Sequence, residues 1–311
     1  MKAAVIARYG QVGDVVTLRE VPIPAVGPRD MLLETHAAGV NPVDHLIVKG
    51  FMAPGGLEQP LVIGSEVAGV VAAVGDEVTR FSVGDEVFVR VDPRVGGAFA
   101  EYTAVHEDLA AAKPENLSFE EAAGLPLAAL TAWQALTEQA DVRTGSRVLI
   151  HGGAGGVGST AVQIAKYLGA EVVTTAGVDS VELVLELGAD RVIDYRAERF
   201  DDVLSEFDVV FDTIGGDTQE RSFRVLKPGG TLVSIVPIPD VEAKRAQWGV
   251  DARSFFMRPN GEQLARLAAL VKSRQLRPII EAVFPFDETI EALLKVERGG
   301  ARGKTVIRVR P

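Results

Sequence analysis

The sequence predicts an α/β protein of two parts, a β-rich, barrel-like part and a doubly wound parallel sheet. Three observations predict it. Up to about Glu120 the chain runs in short β-rich segments punctuated by turn residues. From about Glu121, helical segments alternate with short apolar strands. Between one such strand and the helix after it lies the run "HGGAGGVG", residues 151–158. At 311 residues the chain also exceeds the size at which a single hydrophobic core stops growing, so two domains are expected.

In the first part the extended segments are "KAAVIA", "VVTLREVPIP", "DMLLETHAAGV", "GSEVAGVVAAVG" and "GDEVFVRV". In the second, the parallel strands are "RVLIHG", "EVVTTA", "RVIDY", "FDVVFDTI" and "GTLVSIV", with helices such as "GSTAVQIAKYLG" and "VELVLELG" between them. Near the end, "PIIEAVFPF" and "KTVIRVR" are again extended and flank the helix "DETIEALLKVERGG", which places them back with the first part. The expected division is residues 1–122 with 275–311, and residues 123–274.

Composition narrows the chemistry. A net charge of -11 without clustered Lys and Arg argues against nucleic-acid or acidic-membrane partners. The absence of cysteine removes disulfides, Cys-ligated zinc, iron–sulfur clusters and thiol nucleophiles. No run of about 20 apolar residues is available to span a bilayer, and "MKAAVIARYG" reads as a first strand rather than a secretory signal. The expected location is cytoplasmic, with no membrane partner.

Gly153, Gly155 and Gly158 satisfy G-x-G-x-x-G in the context the motif needs, a strand before and a helix after. The first glycine permits the tight turn, the second lets backbone approach a pyrophosphate, and the third lets helix pack on strand. Val157, Ala161, Ile164, Ala165 and Leu168 recur at helical spacing and predict one face against the sheet. The exposed N–H groups and positive end of that helix suit a dinucleotide's phosphates, with Gly153, Ala154, Gly155, Gly156, Val157 and Gly158 forming the cradle. An NAD site carries Asp or Glu at the end of the next strand; here Thr175, Ala176 and Gly177 stand there. Small neutral residues admit a 2′-phosphate, so NADP(H) is the expected cofactor. Ser180, Tyr195 and Arg196 are candidate contacts, Arg196 being equally readable as a solvated surface charge.

These residues, with "GVNPVD" (39–44), "GSEVAGVVAAVGDEV" (64–78) and "AAGLPLAALTAWQAL" (122–136), resemble the zinc-independent quinone oxidoreductases of the medium-chain dehydrogenase/reductase superfamily. "FFMRPNGEQLARLAALV" and the ending "GKTVIRV" resemble its enone oxidoreductase branch. The resemblance implies a GroES-like β-barrel domain on the substrate side, a Rossmann domain for the cofactor, a nicotinamide in the cleft between them, and a homodimer. It implies no metal: where zinc-dependent relatives place Cys and His ligands, this chain has Asn41 and Ser65, and Glu66 alone cannot make a tetrahedral site. It places Asn41 and Thr131 near the nicotinamide and adds Ile235 and Phe256 to the cofactor contacts. Ser180 stands where many relatives have a Lys for the 2′-phosphate, and "HLIVKGF" lacks the Tyr that some relatives place after this motif, which leaves either Phe51 and His45 as substitutes or a different substrate.

Without a metal to polarise a simple ketone, the easier hydride acceptor is a quinone or the β-carbon of an enone, with hydrogen-bond donors needed at the enolate oxygen and a proton at the α-carbon. Asn41, Asp44, His45 and Thr131 are the catalytic candidates. Asp44 reads equally as a structural carboxylate in a turn, and His45 as a satisfied or surface histidine. Two other readings stay open: a non-enzymatic, crystallin-like NADPH-binding protein, and an enoyl reductase acting on carrier-bound acyl chains.

Overall fold

The structure, a computed structural model, describes residues 1–51, 60–92 and 95–310. The chain forms two units, Met1–Leu127 with Arg258–Pro311, and Ala128–Met257.

In the first unit β1 (Lys2–Ile6), β2 (Val16–Glu20), β3 (Asp30–Val40), β4 (Leu61–Val62), β5 (Glu66–Val74), β6 (Glu86–Arg90), β7 (Tyr102–His106) and β8 (Ala110–Ala112) follow one another. Helices α1 (Val12–Val15) and α2 (Pro42–Val48) interrupt them, and α3 (Phe119–Ala123) follows. The strand expected across residues 15–24 ends at Glu20, because Pro22 and Pro24 have no N–H to give a ladder. β1 pairs antiparallel with β2 and β4. The eleven-residue β3 pairs with both β5 and β7, and β5 continues through β6 to β8. Apolar side chains of both sheets, among them Ile6, Met31, Leu33, Val67, Val89 and Phe99, form one core.

The second unit takes over within α4 (Pro126–Gln134). It alternates β9 (Arg147–Ile150), α5 (Gly156–Tyr167), β10 (Glu171–Ala176), α6 (Val181–Glu186), β11 (Arg191–Asp194), α7 (Phe200–Val203), β12 (Phe207–Asp212), α8 (Gly216–Ser222), β13 (Leu226–Ser234), α9 (Val241–Trp248) and β14 (Asp251–Ser254). All the strand pairings are parallel, in the order β11-β10-β9-β12-β13-β14. The order reverses direction at β9, and in such sheets ligands bind beyond the carboxyl ends of the strands at that point. The sixth strand, β14, has no counterpart in the apolar runs of the sequence: "DARS" buries only Ala252, as an edge strand can. α5 is buried from Gly158 to Ala165 on every side rather than on one stripe, the segment Ala135–Gln139 packing on it.

The chain then re-enters the first unit through α10 (Gly261–Lys272), β15 (Ile280–Pro285), α11 (Thr289–Glu297) and β16 (Lys304–Arg308). β16 pairs antiparallel with β3, and β15 parallel with β16. α10 packs on β8 and the short turn Glu107–Leu109, so the second crossing falls at 257/258 and not at 275. Its stripe of Leu264, Leu267, Ala268 and Val271 is buried; helical periodicity says that a face is covered, not which element covers it. The result is an α/β protein of a β-rich unit and a doubly wound parallel-sheet unit.

Candidate dinucleotide site and the buried Asn41 network

In the second unit the turn after β9 begins at His151. Gly152 has φ +71°, a left-handed conformation that glycine takes at least cost. Its N–H donates to Thr175 Oγ1 at 3.1 Å, and the Gly153 N–H to the Thr175 carbonyl at 3.0 Å, which laces the turn to β10. A Cβ on Gly153 would lie 2.0 Å from Thr174 Oγ1, and one on Gly158 would lie 2.1 Å from the Gly152 carbonyl oxygen. Both glycines are thus demanded by the protein's own packing.

Gly155 is different. Its φ of -73° and ψ of 172° suit any residue, and a Cβ there would meet only the Gly152 carbonyl oxygen, at 3.3 Å. It stands at the N-cap of the twelve-residue α5, where no side chain caps the helix. The fold leaves the glycine at 155 unexplained; a pyrophosphate drawn against the backbone at a helix N-terminus explains it, so these residues fit a dinucleotide. Ala154 packs into a small cluster with Ala176 and Val184, while Gly156 and Val157 are half-buried at the helix start.

Thr175 is 5% exposed, and its Oγ1 contacts both the Gly152 N–H and His151 Nδ1, at 3.1 Å each, so its hydroxyl braces the turn from within. Ala176 and Ser180 are buried and Gly177 is half-buried. Around the carboxyl ends of the strands stand large side chains that the core does not take up: Tyr195 after β11 (57% exposed), Ile214 after β12 (55%) and Phe256 after β14 (54%). Ile235, after β13, is half-buried and donates its N–H to the Asp212 carbonyl oxygen. Thr131 is buried on α4.

Beneath the turn, His151 is fully buried. Nδ1 faces Thr175 and Nε2 lies 2.9 Å from Ser222 Oγ. Beside it Asp212 accepts from the Ile214 and Gly215 N–H groups, Gln219 Nε2 and Ser234 Oγ. Burial holds the imidazole well below its ordinary value of 6.5, at about 4, with Asp212 opposing and Arg221 assisting. A lowered native pKa means stability that is complete above pH 6.5 and is lost as pH falls towards 4, on the order of 3 kcal/mol in all. Both tryptophans, Trp133 and Trp248, lie in this unit, so urea melts followed by fluorescence read it selectively. His151→Asn should flatten the dependence between pH 4 and 6.5; a slope as steep as wild type would assign it to other groups.

In the first unit a second polar cluster is built where β3, β5 and β16 meet the start of α2. Lys304 on β16 donates to Glu66 Oε1 at 2.6 Å, to the Val40 carbonyl at 3.2 Å and to Asn41 Oδ1. Asn41 Nδ2 donates to the same Glu66 oxygen at 2.7 Å, and Glu66 Oε2 accepts the Leu127 N–H at 2.7 Å. Asp44 accepts from the Asn41 N–H at 2.8 Å and from Ser65 Oγ at 2.7 Å. Asn41, Asp44, Ser65, Glu66, Arg90 and Lys304 are all buried. Burial raises Asp44 to about 6, against the pull of those two hydrogen bonds. Arg90 donates through Nη1 to the Ser65 and Val91 carbonyls at 2.6 Å each.

Three of the expected catalytic residues are found in this cluster or beside it. Asn41 has both ends of its amide engaged, by Lys304 and by Glu66. Asp44 ties down the first turn of α2, with both oxygens occupied. His45 lies on α2 beside the Lys49–Glu297 ion pair that joins α2 to α11; burial and Lys49 lower its pKa, and Glu297 opposes them. Sequence reasoning missed Lys304 and Arg90. A charged residue inside the apolar run "EVFVRV" was the one available signal for Arg90, and Lys304 carried none.

The same cluster tests for zinc. It has no thiolate or imidazole, and every carboxylate oxygen is held by an ammonium, an amide, a hydroxyl or a backbone N–H; the residues do not fit that metal. Among the described residues, no helix is long and apolar enough to cross a membrane.

Two family models match the chain, the alcohol dehydrogenase GroES-like domain over residues 27–115 and the zinc-binding dehydrogenase over residues 187–307. The chain is 39% identical to a 2-methylene-furan-3-one reductase of Solanum lycopersicum, across 99% of this chain and 79% of that protein. It is 36% identical to an NADPH-dependent alkenal/one oxidoreductase, chloroplastic, of Arabidopsis thaliana, over the same shares. Among solved structures, the quinone oxidoreductase from Coxiella burnetii superimposes with a TM-score of 0.91 at 35% identity, covering 100% of this chain and 99% of that one.

Proposed function

Since this chain belongs to the medium-chain dehydrogenase/reductase superfamily, in its quinone and enone oxidoreductase branch, we propose that it is an NADPH-dependent oxidoreductase acting without metal on a quinone or on the C=C bond of an α,β-unsaturated carbonyl. The observation that supports the cofactor reading is Gly155, whose extended backbone and nearly open surroundings suit a pyrophosphate drawn against the start of α5. NADPH, when bound, supplies the hydride. The N–H groups at the start of α5 would hold its pyrophosphate, and Tyr195, Ile214 and Phe256 would cover it from water along the carboxyl edge of the sheet. Both Asp44 oxygens are engaged, and the proposal takes the proton for the α-carbon from water. The proposal includes a homodimer in the cytoplasm, which sedimentation and cell fractionation check.

The test is NADPH and NADH titration, followed by turnover with 9,10-phenanthrenequinone and with a short enone, each with and without a chelator. Oxidation of NADPH by one of these acceptors, indifferent to chelation, is the expected result. Tight NADPH binding with neither acceptor reduced would make the chain a binding protein. One equivalent of zinc lost together with activity would overturn the metal-free assignment.

A further inference from the structure

We propose that Arg196 is the cation that holds the 2′-phosphate of NADPH, reaching it across Gly177; the inference rests on the NADPH reading above. At the end of β10 the side chains that the sequence offers for this task are engaged within the fold or buried. The Thr175 hydroxyl is engaged with Gly152 and His151, and Ser180 is buried. β11 runs parallel to β10 with Asp194 opposite Ala176, so the chain leaves β11 as Tyr195 and Arg196 beside Gly177.

There Arg196 Nη1 lies 2.8 Å from the position of a Cβ on Gly177. The backbone of Gly177, at φ -79° and ψ 155°, is one that any residue adopts. The conformation does not demand glycine here, and the bare Cα leaves the space that the guanidinium, the far end of a flexible side chain, now occupies. The Arg196 guanidinium stands 5.1 Å over the Tyr195 ring, and among the described residues it makes no ion pair. Asp194 Oδ1, one of the two carboxylates two residues away with Glu198, accepts the Arg196 backbone N–H at 3.0 Å. An exposed guanidinium held on an aromatic face, at the end of a strand with no carboxylate where NAD sites carry one, suits a phosphate of roughly -1.5 to -2 charge, which arginine binds through two parallel N–H donors.

The experiment compares wild type with Arg196→Gln and Arg196→Lys by calorimetric titration of NADPH, NADH, adenosine 2′-monophosphate and adenosine 5′-monophosphate, with thermal melts as a fold control. Arg196→Gln should weaken NADPH and adenosine 2′-monophosphate by about 10-fold to 100-fold, change NADH and the 5′-monophosphate far less, and leave the melt in place; Arg196→Lys should restore part of the loss. A wild type that prefers NADPH with an Arg196→Gln variant that keeps the same preference would overturn this assignment and leave the NADPH reading standing. A wild type that binds NADH as tightly as NADPH would remove the NADPH reading, and this inference with it.

Discussion

Gly155→Val should abolish NADPH binding while leaving the melting of both units close to wild type, whereas Gly158→Ala should unfold the second unit at markedly lower denaturant. The two glycines share one motif but answer to different partners. At 158 a methyl group would lie 2.1 Å from the Gly152 carbonyl oxygen and 2.9 Å from the Gly153 Cα, both backbone atoms of a turn laced to β10. Overpacking of this kind costs about 1–3 kcal/mol or more. At 155 the only neighbour is one carbonyl oxygen at 3.3 Å, which a shift of a few tenths of an ångström relieves. The isopropyl group instead occupies the approach to the helix N-terminus, and NADPH affinity should fall by at least about 100-fold, roughly 2.7 kcal/mol. Tryptophan-detected urea melts and NADPH titration on both variants decide it. Undiminished affinity in folded Gly155→Val would mean that no pyrophosphate rests there.

Lys304→Met should destabilise the first unit by about 3–5 kcal/mol, the range expected when one partner of a buried ion pair is removed. Glu66 would keep its hydrogen bond from the Leu127 N–H but would face Asn41 as a buried carboxylate without its ammonium. Adding Glu66→Gln should recover most of the loss, because a neutral amide retains an oxygen for Leu127 and its other end can pair with an Asn41 amide that has turned over. The loss should be read by far-ultraviolet circular dichroism, since the tryptophans report only the second unit. A single variant losing less than about 1 kcal/mol, as an exposed pair would, would show that the pair is solvated.

The carboxyl end of β10 separates what could be read from residues in order from what could not. "EVVTTAGVDS" identified the strand, its end, and the absence of an acidic residue, all of which are local. Two adjacent threonines offer no indication of which hydroxyl is used by the fold; Thr174 donates to the Ile150 carbonyl and Thr175 serves the turn, because β9 and the glycine turn pass beside them. Tyr195 and Phe256, cofactor candidates from the sequence, stand exposed after β11 and β14.

By itself the sequence determined the two-part α/β architecture, the glycine turn in its strand–helix setting, and the lack of thiolate ligands. Each of these is set by neighbours within about one element, where periodicity, turn chemistry and residue type act directly. Only the tertiary structure decided that α10 lies on β8, that Thr175 faces inward, and that Asn41 is locked between Glu66 and Lys304, which are 238 residues apart. A charge becomes a buried partner only when chain closure brings its counter-charge within hydrogen-bond reach and excludes water from both, and neither condition leaves a local trace along the chain.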